Sequence, residues 1–343
     1  MTYQPARVSE EQFHDPRWRL SNLYWITDKS GAAIPFRPND SQLQFLDELH
    51  AFNIILKARQ LGFTTLCCLI YLDACVFKDN TRAGVIAHKL DDAKVIFRDK
   101  IKYPYDHLDD GIKNIVAAVQ DSADSLLFKN NSAIRVSTSM RSGTLQYLHV
   151  SEFGKICSLY PEKAREITTG ALNAVHAGQF IVIESTAEGQ EGKFYAMVQE
   201  ARQLAASGAK LTPLDFKFHF FPWWRDKSNT LDGAMVTMSE ADEKYFDKLQ
   251  AEEKIILTEG QRAWYVKKES TQEGDMKREH PSTADEAFEQ ALEGAYFSTQ
   301  IAAAYKHGRI GGFSLDPRYV VNTFWDLGRN DLNTIWLHQF IKG

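Results

Sequence analysis

Long apolar runs are missing from this chain. No stretch reaches the ~18–20 consecutive apolar residues that a membrane-spanning helix needs, and Met1 to Glu10 lacks the apolar centre of a secretory signal. Cysteine is scarce. The four are Cys67, Cys68, Cys75 and Cys157, with no CxxC pair, which argues against a zinc site and fits a reducing cytosol. Excess positive charge is absent too. The formal net charge is −5, so there is no basic tail to wrap nucleic acid, and any such contact must use local patches. No internal repeat is present, which excludes a solenoid.

What is there is an ordinary globular composition, 44% hydrophobic and 25% charged over 343 residues. It suits one large α/β domain with appended pieces. Residues 1–35 read as a polar and aromatic arm. The runs Phe52–Leu56, Ala83–Ala87, Leu145–Val150, Phe180–Glu184 and Phe216–Phe220 read as buried strands. Between them Ser41–His50, Thr64–Phe77, Asp91–Lys102 and Pro161–His176 read as helices. The helix Thr64–Phe77 buries Cys67, Cys68 and Cys75 as small hydrophobes. A hairpin is predicted around Asn130-Asn131. The alternation predicts a mainly parallel sheet flanked by helices, over residues 36–225.

Residues 226–316 change character. Ser239–Glu253 and Gly260–Lys268 are charged and helical, a lid or linker region. Residues 317–343 predict two strands, Tyr319–Trp325 and Asn333–Phe340, with no core to pack on. The expectation is a second domain that is incomplete here.

Three strand ends carry chemistry. The first is Lys57-Ala58-Arg59-Gln60-Leu61-Gly62-Phe63-Thr64-Thr65. A phosphate loop needs a strand, a tight turn and a helix N-terminus whose amides face the anion. The usual pattern is GxxxxGK[ST]. Gly62 and Thr64 fit it, Phe63 stands where the lysine belongs, and Lys57 stands where the first glycine belongs. The competing reading is a plain strand–helix turn. The second end is Val150-Ser151-Glu152, where Glu152 is placed to act as general base on an attacking water. Ser151 stands where an aspartate is normal near Mg²⁺. His149 reads as a hydrogen-bonded core residue. The third is Glu184-Ser185-Thr186, small hydroxyls that can sense a γ-phosphate.

Together these segments resemble the large terminase subunit of tailed double-stranded DNA bacteriophages. The loop resembles an altered Walker A motif with its lysine moved to the front. Leu148–Glu152 resembles a Ser-Glu form of Walker B, and Glu184–Ala187 a coupling motif. Pro38-Asn39-Asp40-Ser41-Gln42 resembles the adenine-recognising region, with Gln42 preferred over Gln44. Phe324-Trp325-Asp326-Leu327-Gly328 resembles the first acidic strand of an RNase H-like nuclease.

The resemblance implies a P-loop ATPase of the ASCE type that uses ATP and Mg²⁺. Lys57, Arg59 and the loop 57–65 would bind the phosphates, with Thr64, or Thr65 as backup, and Ser151 at the metal. Arg141 would be an arginine finger between subunits of a homo-oligomeric ring. Asp326 would be one metal ligand of a nuclease that lacks its later acidic strands. The implied partners are double-stranded DNA, a portal protein and a small terminase subunit, in the host cytoplasm, with no membrane. Lys267-Lys268 and Lys277-Arg278 are candidate DNA contacts. Two alternatives remain: a helicase-like P-loop motor, and a non-catalytic DNA- or portal-binding module whose nucleotide site has decayed.

Overall fold

Phe52–Lys57 has no exposed position, and its successive side chains enter two different cores. Ile54 and Leu56 pack with Phe153, Ile156, Phe194 and Val198. Ile55 packs with Leu66, Leu69 and Phe97. That alternation is the period-2 signature of a strand covered on both faces. A fully buried aliphatic or aromatic side chain of this kind is worth about 1.5–3 kcal/mol.

In the computed structural model, residues 9–140, 143–289, 315–326 and 334–340 are described. Two helices, Glu10–His14 and Pro16–Asn22, precede a small hairpin of β1 (Trp25–Thr27) and β2 (Ala33–Pro35). The following strands are β3 (Phe52–Lys57), β4 (Arg82–Ile86), β5 (Ala118–Asp121), β6 (Ser125–Phe128) and β7 (Ala133–Ser137). They continue with β8 (Leu145–Ser151), β9 (Val175–Ser185) and β10 (Phe216–Phe221).

Among the described residues, β3 to β10 form one eight-stranded sheet in the order β10-β3-β9-β8-β4-β7-β6-β5. From β10 to β7 every pairing is parallel. The hairpin β6–β7 and its neighbour β5 are antiparallel. The mixed α/β sheet flanked by helices follows the sequence reading. The predicted helix Pro161–His176 is shorter than expected: helical turns end at Ala174 and β9 begins at Val175.

Helices Glu240–Glu253 and Glu259–Gln272 share a core with the sheet's edge. Phe246, Leu249 and Tyr265 are buried in the same cluster as Phe221 and Trp223. The chain divides into two units, Met1–Ala291 and Leu292–Gly343. Within the second, β11 (Val321–Asp326) and β12 (Thr334–Gln339) form an antiparallel hairpin, with Asp326 opposite Thr334. Trp325 and Trp336 are exposed on it. Among the described residues, no helix is long and apolar enough to cross a membrane.

Candidate functional site

The carboxyl ends of β3, β8 and β9 lie side by side, and the helix Phe63–Phe77 starts above them. Residue parity decides what meets there. Ile55 and Val182 face the core that contains this helix, so Lys57 and Glu184, two residues further along their strands, face it as well. Leu148 and Val150 face the other core, which turns His149 and Ser151 towards the helix.

Lys57 is 5% exposed and Glu184 is fully buried. Lys57 Nζ donates to Glu152 Oε1 at 3.2 Å and lies 3.1 Å from Glu184 Oε2. Glu184 Oε1 accepts hydrogen bonds from Thr64 Oγ1 and from Ser151 Oγ, each at 2.8 Å. The two hydroxyl oxygens are 3.5 Å apart. Burial opposes charge on both ions, but mutual attraction outweighs it. Glu184 and Glu152 raise the pKa of Lys57, while Lys57 and His149 hold Glu184 below the usual carboxylate range. His149 differs from its sequence reading. It is fully buried, yet among the described residues neither ring nitrogen has a hydrogen-bond partner, and Nε2 stands 3.5 Å from Glu184 Oε1.

Glu152 has φ 54° and ψ 47°, a left-handed conformation uncommon for a side-chain-bearing residue. Such strain costs of order 1–3 kcal/mol and concentrates at functional sites. Here it ends β8 abruptly and starts the helix Phe153–Leu159.

The loop itself is built around two left-handed residues, Gln60 and Gly62. Gly62 precedes the first helical turn and offers it no side-chain cap. The amides of that turn, with the positive end of the helix dipole, can therefore face an anion. Ala58, Leu61 and Phe63 bury their side chains. Phe63 packs on Phe45 and Phe221, with ring centroids 5.8 and 4.6 Å away, so this loop can present only its backbone at that position.

No family model and no curated protein matches the sequence. Solved structures do match. The large terminase of bacteriophage HK97 aligns over 78% of this chain and 53% of its own, with 16% identity and a TM-score of 0.52. The chain thus spans about half the length of that protein. The large terminase ATPase domain of Thermus phage P74-26 aligns over 71% of this chain and 93% of its own, at 14% identity and TM-score 0.47. The fold is that of a phage large terminase.

On this terminase fold the remaining predicted residues fall as follows. Arg59 extends outward to Glu279, at 3.0 Å, and its amide donates to the Glu279 carbonyl. Gln42 is already engaged: its side chain caps the helix Asp40–Asp47 with Asn39, and Nε2 donates to the Gly62 carbonyl at 2.9 Å. Beside it is a hollow of about 160 Å³ lined by Asn39, Asp40, Ser41, Leu61 and Arg225. Gln44 holds Arg225. Thr65, Ser185 and Thr186 are buried, and Ser185 Oγ accepts from the Gly154 amide at 3.0 Å. Arg141 lies outside the described residues, as does the side chain of Asp326.

Glu184 is the buried acid of this cluster that the sequence pattern does not single out, because it reads there only as the start of a hydroxyl motif. Parity carries part of the signal, since a residue two positions after Val182 shares its face, but that this is also the face of Lys57 follows only from the strand order.

Proposed function

We propose that this chain is the ATP-hydrolysing motor subunit that drives double-stranded viral DNA into a procapsid. The observation carrying the reading is Lys57, at the front of a strand–loop–helix turn, 3.2 Å from a strained glutamate just past the end of the next but one strand. A cation for the phosphates and an acid for the water are what such a hydrolase needs.

ATP would lie across the loop 57–65. Lys57 and the first-turn amides would bind its phosphates, with the base towards the hollow beside Gln42. The donors present suit Mg²⁺, a hard cation that takes oxygen ligands and keeps several waters. Among the described residues no cluster of three His, Cys, Asp or Glu could hold a metal alone, so Thr64 and Ser151 would hold it together with the phosphates. Bound there, Mg²⁺ supplies charge neutralisation of the transferring phosphoryl group. Once Lys57 turns to phosphate, Glu152 is free to orient a water and take its proton. Ser185 and Thr186 then pass the change on through Gly154, whose amide Ser185 holds.

In this reading residues 36–225 are the ATPase core, 226–316 the lid and linker, and 317–343 the start of an RNase H-like nuclease in which Asp326 is one metal ligand. Arg141 serves a neighbouring subunit in a ring on the portal protein, with a small terminase subunit delivering DNA in the host cytoplasm. The second reading, a decayed nucleotide site on a DNA- or portal-binding module, is favoured by Ser151 in place of an aspartate.

DNA-stimulated ATP turnover separates the two. Glu152→Gln is expected to lower turnover by about 10²–10⁴-fold while nucleotide still binds. An inactive native chain, even with DNA and partner proteins present, would establish the decayed module.

A further inference from the structure

Ser151 leaves β8 without a carboxylate at the place where a metal-organising aspartate belongs. The adjacent strand fills that gap. Ser151 and Glu184 are register partners across β8 and β9, so a carboxylate moved from one position to the other travels one strand spacing, about 4.8 Å. Glutamate reaches one methylene further than aspartate. The carboxylate of Glu184 arrives at both hydroxyls of the cluster, 2.8 Å from Thr64 Oγ1 and 2.8 Å from Ser151 Oγ.

We propose that Glu184 is the positioning carboxylate of the nucleotide site, doing from β9 what an aspartate at position 151 would do from β8. The proposal rests on the ATPase reading above. A hydroxyl that ligates a cation through a lone pair must place its proton elsewhere. A carboxylate that accepts the proton fixes the hydroxyl's orientation and makes its oxygen a better ligand. Glu184 Oε1 does this for Thr64 and Ser151 at once and leaves their lone pairs to the metal. Its other oxygen faces Lys57 at 3.1 Å, so one fully buried acid orients the metal ligands and the phosphate-binding cation together. A charge is costly to bury. The two hydroxyls also satisfy lone pairs that a buried carboxylate would otherwise leave unpaired.

The test is binding of a fluorescent ATP analogue to the full chain, measured without metal in EDTA and across a Mg²⁺ titration. Glu184→Gln keeps an oxygen that can accept from both hydroxyls but removes the charge, and Lys57 keeps Glu152. Read relative to each protein's own metal-free affinity, the Mg²⁺ midpoint should rise by about 10–100-fold, the usual effect of losing a carboxylate behind a metal ligand. Returning the acid to β8 in the double variant S151D/E184Q should bring the midpoint back to within about threefold of native.

An unchanged Mg²⁺ midpoint in Glu184→Gln overturns the proposal and leaves the ATPase reading standing. A native chain that binds no nucleotide in either condition overturns both. Should Glu184→Gln prove unfolded by circular dichroism, the double variant carries the test: a native midpoint supports the relocation, and a midpoint raised more than about tenfold overturns it.

Discussion

Lys57 ends a strand with two carboxylates against its ammonium and almost no exposed surface. Burying each such ion costs several kcal/mol, and well-packed apolar residues often serve a fold as well or better. Stability alone therefore gives weak reason for this cluster, whereas a site that must grip a triphosphate gives a strong one. Gly62 is under a different constraint. Its φ is +77°, and a Cβ there would stand 2.8 Å from Gln42 Nε2. Gly62→Ala is expected to destabilise the chain by about 1 kcal/mol or more, read as a lower urea midpoint with unchanged slope. A variant as stable as the native chain would mean that the loop relaxes freely around Gln42.

Strands explain both what the sequence revealed and what it concealed. The apolar runs within β3, β8 and β9 were legible because burial on both faces makes most of their positions apolar, even though Asn53, Gln146 and His149 interrupt them. The loop after β3 was legible through Gly62 and Thr64. The role of Glu184 was not, because it depends on which strands are neighbours and in what register, and one chain's pattern does not state that. The helix Phe153–Leu159 was missed because it opens on a left-handed Glu152 with no side-chain cap. The edge strand β5 was missed because it is mostly exposed.

His219 on β10 carries a test of this packing. It sits between Phe45 and Phe221, with its Nε2 3.1 Å from Asn53 Oδ1 on β3. Burial, with Lys217 nearby, pushes its pKa from 6.5 down to about 3. The unfolded chain takes up that proton near pH 6.5 and the folded chain does not. The stability this site contributes is therefore complete above pH 6.5 and is lost progressively as pH falls from 6.5 towards 3. His280, lowered to about 4 by burial, adds to the same loss. Urea unfolding of His219→Gln should show a shallower decline of stability below pH 6.5 than the native chain. An identical decline would place that histidine in water.

Over the whole molecule, the sheet brings three distant stretches, 57–64, 151–152 and 184–186, to one edge of the fold. The segment after the helix Glu259–Gln272 meets the loop through Glu279 and Arg59, 3.0 Å apart, and meets the turn after β9 through Arg278 and Glu188, 2.9 Å apart. On the proposed function, a change at the phosphates would have a short route to the C-terminal helices of the first unit. The sequence foretold two strands after residue 317, and they form a hairpin, but its pairing carries no information on catalysis.

The account stands on Lys57 meeting phosphate. The structure of the full chain with ATP-γ-S and Mg²⁺ tests it most directly. The expected result is Lys57 Nζ turned from Glu152 to within hydrogen-bonding distance of a phosphate oxygen, about 2.7–3.2 Å. A bound nucleotide whose phosphates lie elsewhere, with Lys57 still clasped between Glu152 and Glu184, would contradict it.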